Sequence, residues 1–466
     1  MIYSRFNITF KPIFYSVFFL LPLFFFTTSQ ASTHPYLSSH GINFAIGNKV
    51  HTETDISISG PVNSLSFTRT YNNKSTTESV LGYGWSWSFG EQLLIDSQDD
   101  TTIIRVLSSG RHIRHNKAGE GIWTSLTSKK TTITLETSGD YILSKLNGTV
   151  HNYDAQGKLT QSQKLNGYTR HYSYNGTTGE LESVSDNFGR TLSFSYYATT
   201  GNLETLTTPA GDFTFHYDGN NNLTQVDRPD TTYRQYLYND LIGNDLHNLT
   251  SVNDEMGTEI MSVVYDASDR VEYAYKTNGT EEIHIQGYGS LNRKITDALG
   301  NDTDYKLAIK HGVARIESFN TDNPRPVCSV CPGEGNDSSY TYNDRNLLET
   351  STNGRSYVTQ YGHDTDGNRT TVTEAFGVAG KERTTETAYY TGTSRVHTVT
   401  RDSVANTGQQ TVVTWIYDAS GNPDLKTETG YEGSTALNRG TDFDFSGSTL
   451  GRISSLTARE LLSTTP

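Results

Sequence analysis

Few residues in this chain could do chemistry. The only cysteine pair is Cys328-Ser329-Val330-Cys331, with Pro324, Pro326, Pro332, Gly333 and Gly335 around it. Breakers at that density make a loop. A structural zinc takes four ligands, and no second Cys-x-x-Cys exists. A redox pair takes a helix N-terminus behind it to lower the thiol pKa, and none is predicted here. In an exported protein a disulfide or other structural pair is the simplest outcome. Asp364-Thr365-Asp366-Gly367-Asn368 invites a calcium reading. An EF-hand loop wants Gly sixth and Glu twelfth, whereas here Gly is fourth and Ala375 twelfth, so a plain turn explains it better. His112 and His115 stand among Arg111, Arg114 and Lys117, which reads as a solvated basic face. No G-x-S-x-G, H-E-x-x-H or G-x-x-x-x-G-K-[ST] occurs. The expectation is therefore a non-enzyme with no catalytic, cofactor-binding or metal residues.

The elements around these residues are strands and turns. The chain has 466 residues, a formal net charge of −14, 33% hydrophobic and 11% aromatic residues, with 29 Tyr and 41 Gly. Aromatics at that level oppose disorder, and Tyr with Gly suits pleated surfaces and tight turns rather than helices. The acidic balance argues against nucleic acid as a partner. Pro12 to Phe26 is an apolar run behind Arg5 and Lys11, followed by Ser29-Gln30-Ala31. That order predicts a cleaved signal peptide over residues 1–31, too short to span a bilayer, and hence a secreted, periplasmic or cell-surface protein with no membrane span after cleavage.

From residue 148 a repeat appears. Its copies begin Tyr153-Asp154-Ala155-Gln156-Gly157, Tyr174-Asn175, Tyr196-Tyr197, Tyr217-Asp218, Tyr265-Asp266, Tyr342-Asn343 and Tyr417-Asp418-Ala419-Ser420-Gly421. Gly148, Gly167, Gly189 and Gly211 mark a second series of turns. Thr191 to Tyr196 and Asp212 to Tyr217 alternate apolar and polar, the mark of half-buried strands. The Asp, Asn and Gly after each Tyr are turn formers. One copy is thus a hairpin that cannot bury its face alone, so neighbours must stack.

These Tyr-Asp-x-x-Gly units resemble the YD (Rhs) repeats of bacterial Rhs-type proteins and of the teneurin shell. The segment before them is similar to that family's N-terminal region in Gly47-Asn48-Lys49, Thr54-Asp55, Gly60-Pro61, Leu65 to Tyr71 and Leu81-Gly82-Tyr83-Gly84-Trp85-Ser86. Trp85 and Trp87 share one strand face, which reads as packing against the first repeats or, alternatively, as a platform for a sugar. The resemblance implies an all-β antiparallel hairpin array coiling into a spiral, cocoon-like shell. It divides the chain into residues 32–147 (N-terminal β segment), 148–323 (first YD group), 324–338 (cysteine loop), 339–433 (second YD group) and 434–466 (tail). It also implies a non-enzymatic shell or scaffold that encloses or presents a polypeptide; a carbohydrate-binding adhesin is the alternative. Some relatives carry similar Cys pairs between repeats, which suits a Cys328–Cys331 disulfide. Members that deliver toxins carry a core segment and toxin after the repeats, and no such motif occurs here. After Tyr417 the pattern decays, so the expectation is an incomplete shell, either a truncated reading frame or one half needing a partner chain, that associates or aggregates through its C-terminal edge.

Overall fold

Period-two alternation becomes strand almost residue for residue. Thr191–Tyr196 and Gly211–Tyr217 are strands, and Leu65–Asn72 alternates buried and half-buried along its whole length. The computed structural model describes residues 40–460, apart from 77, 97, 126–129, 241, 243–244, 311, 322–337, 403–407, 433–434 and 446–454. The apolar run Pro12 to Phe26, expected to be part of a signal peptide, and both cysteines lie outside the described residues.

The fold is all-β, an antiparallel hairpin array. Thirty-two strands, from Gln92–Asp96 to Ser455–Glu460, form one sheet in chain order. Among the described residues the first and last strands do not pair with each other, so the sheet is open. A separate four-stranded sheet joins Ile42–Asn43, Asn48–Ile58, Leu65–Asn72 and Trp85–Trp87. The one helical element among the described residues is a 3-10 turn at Thr277–Gly279, and no helix is long and apolar enough to cross a membrane.

Successive hairpins turn alternately at two edges of the long sheet. The Tyr-Asp turns lie along one edge, which we call the Tyr edge. Turns such as Leu146–Gly148 and Leu165–Gly167 lie along the opposite one. The sheet curls until late Tyr-edge turns meet early opposite-edge turns. The Lys130 N–H donates to the Asp366 carbonyl at 3.2 Å, and the Ser394 N–H donates to the Leu146 carbonyl at 2.9 Å. Gly421 packs so closely on Leu165 that a Cβ there would run into it. One winding therefore seats its Tyr edge on the opposite edge of the winding before.

The core follows the small sheet. Phe67 lies with Trp87, Phe89, Phe194 and Phe215 at ring separations of 5.9–6.2 Å. Leu181, Val184, Leu192, Leu203 and Leu206 are buried on the facing strands. Between Ile316 and Phe443 no described hydrophobic residue is buried.

Candidate functional site

The signature tyrosines close a gap that the hairpins leave. Most of the latched hairpins end in a bulge beside the turn, for example between Ser195 and Tyr196. The strand-to-strand ladder to the next hairpin starts two residues further in, as at Gln161 and His171, so the Leu159 carbonyl has no ladder partner. A buried carbonyl without a partner is costly. The next tyrosine supplies the donor. Tyr174 donates to the Leu159 carbonyl at 3.0 Å, Tyr196 to Leu181 at 2.8 Å and Tyr217 to Leu203 at 2.9 Å. Tyr238 does the same to Leu223 at 3.0 Å, Tyr265 to Leu249 at 2.8 Å and Tyr288 to Val271 at 2.6 Å. These six repeats are thus each latched to the one before. Tyr196→Phe should cost about 1–2 kcal/mol, the value of a hydrogen bond whose acceptor is left unpaired. Urea unfolding checks it, and a loss below the error of the midpoint would refute the latch.

The acidic residue after the tyrosine holds the turn. Asp154 accepts the N–H groups of Gln156 and Lys158 at 3.0 and 2.8 Å. Asp218 and Asp266 repeat this on Asn220 and Asn222 and on Ser268 and Arg270, and Asp418 accepts from Asn422. The fourth residue after the tyrosine then has positive φ: Gly157 at 82°, Asn221 at 62°, Asp269 at 56° and Gly421 at 75°. That restricts the place to Gly, Asn or Asp. Asp364 accepts from Asp366, Asn368 and the Asn368 side chain, so its carboxylate serves the turn. Among the described residues no three His, Cys, Asp or Glu side chains gather as a metal site.

On the first winding the N-terminal segment covers the Tyr edge. It runs from the Gly157 turn at Leu93 back to the Val271 strand at Gly47. The Leu93 N–H donates to the Gly157 carbonyl, the Leu203 N–H to Val80, the Tyr83 N–H to Asn221 and the Val271 N–H to Gly47, all at 2.7–2.9 Å. Arg293 ends the row by donating to the Phe44 and Ala45 carbonyls at 3.1 and 2.7 Å. Arg69 anchors the segment. Its guanidinium is fully buried, bonds Asp55 at 2.6 and 2.8 Å, Glu53 at 3.0 Å and Tyr236 at 2.8 Å, and lies over the Trp85 ring. A second buried knot centres on Glu91, which accepts from Arg105, His151 and Tyr153 at 2.6–2.9 Å.

Residues 39–115 match the model of a domain of unknown function, DUF6531. The DUF6531 segment thus includes the strands that cover the Tyr edge and anchor it through Arg69. No curated protein matches this chain. Among solved structures it is similar to the Photorhabdus luminescens Tc holotoxin pore with the TccC3-D651A mutation, at 12% identity and a TM-score of 0.37, over 83% of this chain and 26% of that one. It is also similar to TcdB2–TccC3 without its hypervariable C-terminal region, at 12% identity and a TM-score of 0.38, over 83% and 25%. The chain spans about a quarter of the length of these two structures.

Burial sets the electrostatics of the site. It pushes Glu53 and Glu91 upward, but the His51 bond and the Arg69 charge on the first, and His151 and Arg105 on the second, hold both well below the usual carboxylate range. Burial pushes Lys49 and Lys145 down to about 8. Lys49 donates to the His40 carbonyl and Lys145 lies 3.1 Å from His151 Nε2, so both amines have partners. Burial also lowers His51 and His151, and takes His115 to about 4. These histidines fold neutral, and the unfolded chain takes up protons first. Stability is then full above pH ~6.5 and falls as pH drops towards 4, by ~3 kcal/mol from His115 alone. Glu53 and Glu91 have the same sign and add their loss below about pH 4.3. Urea midpoints at pH 7, 5.5 and 4.5 should fall in that order, and His115→Gln should flatten the upper part. Equal midpoints would reject this account.

Signature residues Tyr153, Asp154, Gly157, Tyr174, Tyr196, Tyr217, Asp218, Tyr265, Asp266, Tyr417, Asp418 and Gly421 all stand at or beside Tyr-edge turns. Of the early ones, Tyr153 bonds the DUF6531 segment through Glu91 and Tyr217 through the Val80 carbonyl. The solvated basic face expected around His112 and His115 holds for Arg111, His112 and Arg114, which are exposed, and is corrected for His115. The two histidines sit three apart on the strand His112–Gly119, hence on opposite faces, with His112 exposed and His115 buried on Thr131. Asp55 and Arg69 stood in the sequence only as parts of the resemblance, without a role, and Glu53, Glu91 and Tyr236 were not singled out. One signal was present: Leu65, Phe67, Arg69 and Tyr71 share a strand face by period two, so Arg69 had to enter the apolar side.

Proposed function

We propose that this chain is a scaffold portion of a YD-repeat shell that encloses or presents another polypeptide, exported and without catalysis of its own. One observation carries the reading. The strands from Ser338 to Tyr417 leave their apolar side chains half covered: Tyr340, Tyr361, Val372, Tyr389 and Val412 are all partly exposed, whereas the first group buries its own under the DUF6531 segment. A sheet face left in that condition suits a second polypeptide laid against it. The buried ionic groups all have protein partners, which supports a structural use for them. The adhesin reading loses its platform, because Trp85 and Trp87 are buried.

The test is to produce the chain together with the polypeptide of the adjoining reading frame and digest with trypsin. Co-purification of a polypeptide protected while bound, and cleaved once the complex is unfolded, is the expected result. A chain recovered alone, with its Ser338–Tyr417 strands as accessible as in the purified protein, would overturn the reading. In the exported material the first residue should be Ser32, and mass spectrometry without reductant should find Cys328 and Cys331 joined; two free thiols would reject that pairing.

A further inference from the structure

Beside the Glu91 knot lies a group of cations that the fold does not neutralise. Opposed residues of an antiparallel ladder share a sheet face. Leu143, His151, Ser162, Arg170 and Asp186 are opposed in turn across five strands, so their side chains form one row. Every member but Arg170 is buried. Arg170 also differs in its bonds. The Asp186 carboxylate, directly opposite, accepts from Arg190 Nη2 at 2.5 Å, from the Phe188 and Arg190 N–H groups at 3.0 and 3.2 Å and from the Tyr168 hydroxyl at 3.3 Å. Glu91 is taken up by Arg105, His151 and Tyr153. Among the described residues nothing bonds the Arg170 guanidinium: its Nε is covered without a partner, and its Nη end is the part that reaches solvent. Two lysines stand beside it. Lys145 and Lys164 each lead into an opposite-edge turn, and those two turns pack together where Gly148 meets Leu165. Lys145 lies 3.1 Å from His151 Nε2 and Lys164 donates to the Asn63 side chain at 2.5 Å, so among the described residues neither bonds a carboxylate. Burial, and after it the charges of Arg105, Arg170 and Lys164 against that of Glu91, hold the Lys145 amine at about 8. Burial and the Arg170 charge also lower Lys164. The three charges are thus close enough to repel one another, in a chain whose formal net charge is −14. Lys164 is exposed, which leaves the group open to solutes.

We propose that Arg170, Lys145 and Lys164 form a site for an oxyanion, a phosphate, sulfate or carboxylate group held between the Nη end of the guanidinium and the two ammonium groups. The fork of a guanidinium matches two oxygens of such a group, and an ammonium beside it adds charge and donors without fixing direction. The bound anion supplies the countercharge that Glu91 and Asp186, committed to other partners, do not. The site needs no enclosed polypeptide and stands whether or not one is present.

The test reads Lys145 itself. The full chain is acetylated briefly at pH 8, the range in which the Lys145 amine titrates, in sodium phosphate or in sodium chloride of equal ionic strength, and mass spectrometry gives the rate at each lysine. An anion within ~4–6 Å of an amine raises its pKa by about 1 or more, so the reactive free base falls from about half to about a tenth. Lys145 should therefore react about fivefold more slowly in phosphate, saturably. Lys49, also at about 8 but in the small sheet, should keep its rate. Arg170→Gln should abolish the protection while leaving the urea midpoint in chloride unchanged, since no bond within the protein is lost. Lys164→Gln, at an exposed side chain, should weaken the protection severalfold, and it carries the test if Arg170→Gln does not fold. A hexaglutamate peptide in place of phosphate separates the sources of the anion. Protection at lower concentration by the peptide assigns it to a carboxylate on a chain, and by phosphate to a free ion; either upholds the site. Equal Lys145 rates in phosphate, peptide and chloride would overturn the proposal, and so would protection that survives both substitutions.

Discussion

Arg69→Met is expected to cost the fold about 3–5 kcal/mol, the range seen when one partner of a buried ion pair is removed. The guanidinium has no exposed surface and answers two carboxylates and a tyrosine hydroxyl. Without it, Glu53 keeps His51 and Arg234 at 2.9 and 3.0 Å. Asp55, whose side chain is 2% exposed, loses both of its bonds to the guanidinium. Most of the loss therefore comes from Asp55, and adding Asp55→Asn to Arg69→Met should recover about half. The Asn48–Ile58 and Leu65–Asn72 strands should become protease-sensitive before the repeats do. Urea unfolding at pH 7 reads the loss, and one below about 1 kcal/mol would mean that the cluster is only packed and not holding the segment.

The residues most visible in the sequence were those whose role is local. A Tyr, an Asp that accepts the N–H groups two and four residues on, and a Gly at positive φ are all set within about five positions, so spacing alone reveals them. The pairing of Trp85 and Trp87 on one face was equally legible from period two. What could not be read was where the tyrosine hydroxyl goes, because its acceptor is a carbonyl freed by a bulge on the neighbouring strand. Longer links were still less visible. Val80 with Leu203, Gly47 with Val271 and Arg69 with Tyr236 join residues far apart in sequence through the curl of the sheet. His115 illustrates the cost of reading neighbours along the chain: four basic companions suggested water, but strand alternation turned its side chain inward.

Trp85→Ala is expected to lose about 3–5 kcal/mol, the usual cost of deleting a buried indole. Trp85 is 2% exposed, its ring takes the Arg69 charge on one side and meets Tyr71 and Tyr236 at 5.5 and 5.2 Å, and its Nε1 donates to the Tyr238 hydroxyl at 2.9 Å. Tyr238 in turn donates its O–H to the Leu223 carbonyl, so the indole sits at the head of a latch as well as in the core. Trp85→Phe keeps a ring against Tyr71 but gives up the Nε1 bond, and should lose about half as much. Tyr233→Ala, at a ring 39% exposed, should stay within about 0.5 kcal/mol. The ordering separates the two uses of an aromatic. A sugar platform is exposed, and its removal abolishes binding while stability is unchanged. If Trp85→Ala unfolded at the midpoint of the parent chain, the indole would not be in the core, and the packing of the DUF6531 segment on the repeats would be wrong at its centre.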